Sequence, residues 1–194
     1  MPRPPRFDES LLLDAATRLA AEAGPAAVTM AAVAKAAGAP SGSLYHRFPH
    51  RPALLAALWL RAVEDFQTTW LEALETPGDP ATAGTAAARE AVAWCRRNPL
   101  RAALLSYGPD DFGRAEWPAE QAARADRGNA GIRAAVAAFT RRLDATAPVD
   151  AARVALALVD LPLAIARRHL RAGATLPPYA EELAESTALR LLAP

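Results

Sequence analysis

The sequence predicts an all-α protein. Apolar residues recur at helical spacing, most plainly in Trp59, Val63, Phe66, Trp70 and Leu74, at intervals of 4, 3, 4 and 4. Alternating runs of β-branched residues, the mark of half-buried strands, are absent. Alanine and leucine abound, and both favour helices. With 194 residues, 52% apolar and 22% charged, the chain can bury a substantial core and lacks the composition of a disordered one.

Each element has its own start and stop. Residues 1–7 read as a disordered basic tail. A first helix runs from about Asp8, a capable N-cap, to Ala23, where Gly24-Pro25 stop it. Thr29 caps a short second helix, about Met30 to Ala37, which Gly38 ends. A third spans about Ser41 to Phe48, before Pro49. A fourth opens at Pro52, whose fixed φ suits a first helical position, and reaches about Glu75. Thr76-Pro77-Gly78-Asp79-Pro80 breaks the chain. Helices are expected over about 81–97 and 99–106, then an irregular loop from Gly108-Pro109-Asp110-Asp111. A long stretch, about 118–146, carries Ile132, Val136, Phe139 and Leu143, with interruption points at Gly128 and Gly131. Another helix covers about 150–172, and a last one about 179–192.

Lys+Arg minus Asp+Glu is 22 − 21 = +1, so net charge alone names no partner. The distribution says more. Between Glu22 and Glu64 lie 41 residues without an acid, containing Lys35, Arg47, Arg51, Arg61, His46 and His50. Such a segment attracts phosphate. It coincides with two short helices joined by Gly38-Ala39-Pro40, which together read as a helix-turn-helix, with a plain α–α corner as the alternative. In that motif the second helix enters the major groove. Thr29 would set a hydroxyl and a helix N-terminus beside a phosphate. Ser41, Gly42 and Ser43 are small enough to approach base edges. Tyr45 and His46, a turn later, and Lys35, Arg47 and Arg51 complete the candidate DNA contacts.

Residues 8–55 resemble the DNA-binding domain of the TetR family of transcriptional regulators. The likeness lies in Leu13-Asp14-Ala15-Ala16, Gly24, Thr29, Val33-Ala34 and Ala37-Gly38. It is densest in Ser41-Gly42-Ser43-Leu44-Tyr45-His46-Arg47-Phe48-Pro49, followed by Leu54-Leu55. Some positions depart from the family pattern. Ala20 stands where the family has a large aromatic, so the first helix is expected to pack thinly. Pro40 occupies the usual place of a capping serine and leaves Ser41 for that role. Arg51 and Pro52 replace a lysine and an acid, which preserves the first charge. The resemblance implies a DNA-binding domain over 8–51 and a helical ligand-binding and dimerisation domain over 52–194.

It also implies a homodimer, as a palindromic operator requires. The sequence offers a seam of its own, Val154, Leu158, Leu161 and Ile165, with Leu156, Val159 and Leu163 on another face. A helix apolar on two sides needs two partners, one of them a second subunit, the alternative being full burial in a monomer. Leu183 of the last helix joins the expected interface.

Family members enclose a small molecule behind the DNA-binding domain. Phe66, Trp70, Trp94, Tyr107, Phe112, Trp117 and Phe139 fall in that region and suit a mostly apolar ligand, though each also reads as ordinary core. Asp160, beside Pro162, is either a ligand contact or a partner for backbone freed by the proline. Cys95, beside Trp94 and Arg96-Arg97, reads as an inert core thiol or a redox sensor. One cysteine excludes a disulfide framework and a cysteine-based zinc site. His46 and His50 are four apart, but Pro49 breaks their helix, so no metal is expected. No cofactor, catalytic constellation, membrane span or signal peptide is evident.

The reading is a cytoplasmic, ligand-responsive, DNA-binding regulator, a repressor released from a palindromic double-stranded operator by a small, mostly apolar effector. It is not an enzyme. The alternative is a helical dimeric interaction protein with vestigial or non-specific DNA binding.

Overall fold

The structure is a computed structural model, and residues 8–144, 150–170 and 174–193 are described. The expected basic tail and the end of the 150–172 helix lie outside the described residues. Among those described there is no strand. The helices are α1 (Glu9–Ala23), α2 (Met30–Ala36), α3 (Ser41–Arg47), α4 (Arg51–Leu74), α5 (Pro80–Arg97), α6 (Pro99–Leu104), α7 (Ala119–Asp144), α8 (Ala151–Ala155), α9 (Leu161–Leu170) and α10 (Ala180–Leu192). Short 3₁₀ turns occupy Pro25–Ala27, Pro109–Phe112 and Arg114–Glu116, and a π turn, Leu156–Asp160, joins α8 to α9.

Side-chain caps start half of these helices. The carboxylate of Asp8 accepts from the Leu11 amide at 2.8 Å, and the Thr29 hydroxyl accepts from Ala32 at 3.1 Å. Asp79 and Asp150 do the same for α5 and α8. Each satisfies an amide that the first helical turn leaves unpaired. Two expectations are corrected. Ser41 is the first residue of α3, not its cap; Pro40 holds the cap position and no side chain closes that end. The fourth helix begins one residue before Pro52, because His50 caps it: the imidazole Nδ1 accepts from the Ala53 amide at 3.2 Å.

The glycines of α7 do not interrupt it. Gly128 serves close approach instead. A Cβ there would lie 2.8 Å from Oε1 of Gln67, so α7 and α4 meet closely at this point.

The π turn has an identifiable cause. Pro162 has no N–H to donate to the Leu158 carbonyl four residues earlier. That carbonyl accepts instead from the Trp70 indole N–H at 3.1 Å, and the Leu161 amide reaches back five residues to Leu156. Trp70 thus answers the backbone freed by Pro162. Asp160 does not; it is exposed.

Two hydrophobic cores result. The first gathers Leu12, Val28, Val33, Leu44, Phe48 and the α4 residues Leu54 to Ala62, and draws in Leu104, Phe112, Trp117 and Ala125. The second begins at Phe66 of α4 and fills the space between α5, α7, α8, α9 and α10. Helix α4 therefore runs through both. Ala20 is fully buried in the first core, with no larger side chain in its place.

Candidate nucleic-acid interface and apolar cavity

Helix α3 is anchored by one face and open on the other. Leu44 is fully buried and Phe48 nearly so, against Val33 and Ala34 of α2. Gly38 turns the chain between α2 and α3 at φ +62, a conformation that favours glycine. Ser41, Gly42, Tyr45 and His46 are exposed, and Ser43 is half-buried. Lys35 and Thr29 are exposed at the two ends of α2. The Thr29 hydroxyl already accepts the Ala32 amide, so its oxygen still has a proton to donate outward. The arrangement presents small side chains, two aromatic rings and cationic groups on one end of the molecule.

Two of the expected cations are committed elsewhere. Arg51 turns toward the chain: Nε donates to the Val28 carbonyl at 2.7 Å and Nη2 to the Pro25 carbonyl at 3.1 Å. It braces the start of α4 against the α1–α2 turn, whose carbonyls lie at the end of a 3₁₀ turn. Arg61 is paired with Asp14 at 2.7 Å, so the acid-free stretch of sequence is not free of acid in space. Arg47 is half-buried and donates to the Ser43 carbonyl at 3.3 Å. Histidines 46 and 50 do not form a metal pair, since His50 caps α4. Among the described residues no three His, Cys, Asp or Glu side chains cluster as metal ligands.

Behind this end lies a cavity of about 400 Å³, within the range of small-molecule sites. One wall is α4, through Trp59, Val63, Phe66, Gln67 and Trp70. Leu105, Tyr107, Gly108 and Pro109 close one side. Asn129, Ile132 and Arg133 of α7 and Val159, Leu163 and Arg167 near α9 complete it. Of the expected ligand residues, Phe66, Trp70 and Tyr107 line this cavity.

The other five do not. Trp94 packs edge-on to Phe66 at 5.4 Å and donates its indole N–H to Asp65, which also pairs with Arg101. Phe112 and Trp117 belong to the first core, where the Trp117 indole donates to the Phe112 carbonyl at 2.8 Å. Phe139 lies in the second core against Gly84. Asp160 points to solvent on the π turn. The reasoning from aromatic residues missed Trp59 and every polar member of the wall. The 59–63–66–70 stripe held the signal for Trp59; nothing local marked Gln67, Asn129, Arg133 or Arg167.

Residues 12–58 match the model of the bacterial regulatory proteins of the tetR family. The match covers the segment that holds most of α1, all of α2 and α3 and the start of α4. Solved structures share the fold over most of the chain. A transcriptional regulator from Rhodococcus sp. Rha1 superposes with a TM-score of 0.75 at 24% identity, covering 96% of each chain. The TetR family regulator PfmR from Thermus thermophilus does so at 0.71 and 23%, covering 95% of this chain and 97% of that one. The regulator FadR from Bacillus subtilis, solved in complex with stearoyl-CoA, gives 0.72 at 13% identity, with coverage of 95% and 97%. At these identities the likeness is one of fold. No curated protein matches the chain.

The fold divides the expected dimer seam. Val154 and Leu158 are fully buried in the chain's own second core, while Leu161 and Ile165 are half-buried and Leu183 is 43% exposed. The π turn is the reason. Its extra residue rotates the downstream helix by about 100°, the angle of one helical position, so residues on either side no longer share a face. The outward apolar side chains of these elements are Leu156, Leu183 and Leu189. Cys95 is buried, and desolvation pushes its thiol up to about 12, against a smaller opposing pull from Arg167. It holds its proton at neutral pH, which disfavours redox sensing by a thiolate. No helix among the described residues is long and apolar enough to cross a membrane.

Proposed function

We propose that this chain is a homodimeric transcriptional repressor that reads a palindromic double-stranded operator and is released from it by a small, mostly apolar molecule. Residues 8–51 act as the reading head and residues 52–194 as the effector and dimer body. The observation that carries the reading is the course of α4. Its first turn braces the α1–α2 turn through Arg51, and its middle turns form one wall of the cavity. A molecule in the cavity therefore touches the same rigid element that supports the DNA-reading helices.

Thr29, Lys35, Ser41, Gly42, Ser43, Tyr45, His46 and Arg47 make the contacts with DNA in this reading. The energetic demand is modest: a roughly 100-fold loss of operator affinity needs about 2.7 kcal/mol of differential ligand binding between two states. The protein works by binding, without catalysis, in the cytoplasm. The outward side chains Leu156, Leu183 and Leu189, with half-buried Leu161 and Ile165, form its subunit contact.

Selection of the full chain against a random-sequence DNA library at about 150 mM salt tests the proposal, since non-specific binding is largely screened there. A recovered palindrome supports a dimeric reader and supplies the operator for effector screening. Sequence-blind, salt-sensitive binding overturns it.

A further inference from the structure

We infer that the cavity takes an apolar molecule carrying one anionic oxygen head, a carboxylate or a phosphate. This deepens the effector reading above and rests on it. The chain has four tryptophans. The indole N–H groups of Trp70, Trp94 and Trp117 donate to the Leu158 carbonyl, Asp65 and the Phe112 carbonyl. Trp59 differs. Only 6% exposed and part of the cavity wall, it has an indole N–H with no acceptor among the described residues. A buried donor left unpaired is costly, and because the nitrogen itself has no accessible surface, a ligand's acceptor would satisfy it only by turning the ring toward the cavity.

The charge of the wall has the same sense. The chain has 21 acidic residues, yet none lines the cavity, whereas Arg133 and Arg167 both do. They reach it from different helices, α7 and α9. Seven arginines, Arg61, Arg89, Arg96, Arg97, Arg101, Arg114 and Arg124, each hold a carboxylate. Arg133 and Arg167 hold none among the described residues. Arg167 donates Nε to the Leu105 carbonyl at 3.3 Å, which fixes its stem. The amides of Gln67 and Asn129 are turned to one another at 3.4 Å. The remaining wall, with Val63, Phe66, Ile132, Val159 and Leu163, is apolar. The wall thus offers donors and positive charge around an apolar body. A guanidinium prefers a flat or tetrahedral oxyanion, and pairs with either in two-pronged fashion.

Isothermal titration of the full chain tests this with ligands of one hydrocarbon skeleton and different heads. Octanoate and octyl phosphate are compared with octanamide and octylamine, and the series is repeated with six- and twelve-carbon chains. The anions are expected to bind at least about tenfold more tightly than the amide, the scale of one charge-assisted hydrogen bond. Whichever anion binds more tightly identifies the head. Arg133→Gln is expected to lower anion affinity about tenfold and leave amide affinity unchanged, a pattern that loss of packing would not give. Trp59→Phe keeps a ring but removes the donor, and should weaken the anions about three- to tenfold. Arg167→Gln should act like Arg133→Gln; because Arg167 also braces the Leu105 carbonyl, Arg133 is the deciding variant.

Equal affinity for acid and amide, preference for the amine, or no binding of any anion up to about 1 mM would overturn the inference. The DNA selection above is independent. An anion-selective cavity in a chain that reads no DNA sequence would sink the repressor reading and keep this one. A palindrome with no anion preference would do the reverse.

Discussion

Replacing Arg51 with methionine separates two roles that one guanidinium can play. As a phosphate contact, it would contribute to DNA affinity and to its salt dependence. As the brace seen here, it contributes to the fold. Its two donors reach the carbonyls of Val28 and Pro25 at 2.7 and 3.1 Å, across 23 and 26 residues of chain. The side chain is largely exposed, so water can replace it at both carbonyls. Each bond is then worth about 0.5–1 kcal/mol, at the weak end of the usual range, and the pair about 1–2 kcal/mol. In a chain of this length that lowers Tm by about 2–8 °C, read by thermal unfolding monitored by circular dichroism.

The salt dependence of DNA binding supplies the contrast. Neutralising a phosphate contact removes about 0.9 from the slope of log affinity against log salt. In the proposed homodimer Lys35→Gln alters an exposed cation on α2 of each protomer and should show that loss twice, about 1.8, with little change in Tm. Arg51→Met should show the lower Tm with the slope changed by less than about 0.3. An Arg51→Met protein with unchanged Tm and a slope reduced by about 1.8 would refute the brace and return Arg51 to the DNA.

Gly84→Ala should destabilise by about 1–2 kcal/mol in urea unfolding: the new Cβ would lie 2.7 Å from both Leu192 Cδ1 and Phe139 Cζ, and that overpacking exceeds the gain of about 1 kcal/mol in helix propensity. Thr29→Ala should cost about 1 kcal/mol of stability through the lost cap of α2, whereas Thr29→Asp should keep the cap yet weaken DNA binding by placing a carboxylate beside phosphate. Cys95, raised from 9.0 to about 12, keeps its proton in the folded chain after the unfolded one has lost it. Stability should therefore fall as pH rises from about 9 toward 12, relative to a Cys95→Ala variant compared by unfolding at each pH. The same burial should make Cys95 slow to react with a thiol reagent such as DTNB at about pH 8, and fast labelling of the folded chain would contradict it.

The parts of the fold decided within a turn or two of chain were legible in the sequence. Asp8 and Thr29 cap where their side-chain chemistry says they should, and Gly38 turns where a positive φ is needed. The parts decided by distant partners were not. Pro162 is visible in the sequence, but the group that answers its missing N–H is Trp70, 88 residues away from Leu158. The resulting π turn rotates the helix, and so the regular spacing of Val154, Leu158, Leu161 and Ile165 does not make one seam. Arg51 is a cation in the sequence and a brace in space, because the carbonyls it holds belong to another helix connection. The cavity was half legible for a similar reason. Aromatic residues advertise burial, but a core and a cavity wall bury them alike, as Phe139 and Phe66 do. What sets the wall apart is that Gln67, Asn129, Arg133 and Arg167 meet the aromatic side chains there, and that meeting is a tertiary property.

The α1–α2 turn is one place where the N-terminal helices meet the cavity wall. Tyr107 lines the cavity, yet its hydroxyl oxygen lies 3.4 Å from where a Cβ of Gly24 would stand. Its ring meets Phe112 of the first core edge-on at 6.3 Å. Gly24 has φ +79, a conformation that favours glycine, and the tyrosine lies beside this turn. Four residues later Val28 receives Arg51 from the start of α4, and Thr29 then caps α2. The turn thus has two contacts with the cavity wall, one through Tyr107 and one through α4. A ligand that displaced Tyr107 or Trp59 would act on both at once. Neither contact need break. The required bias is about 2.7 kcal/mol for a roughly 100-fold change in affinity, equal to about three to five hydrogen bonds of the size that hold this turn. The position of the reading helices is therefore set by interactions of the same size as those a bound molecule can supply.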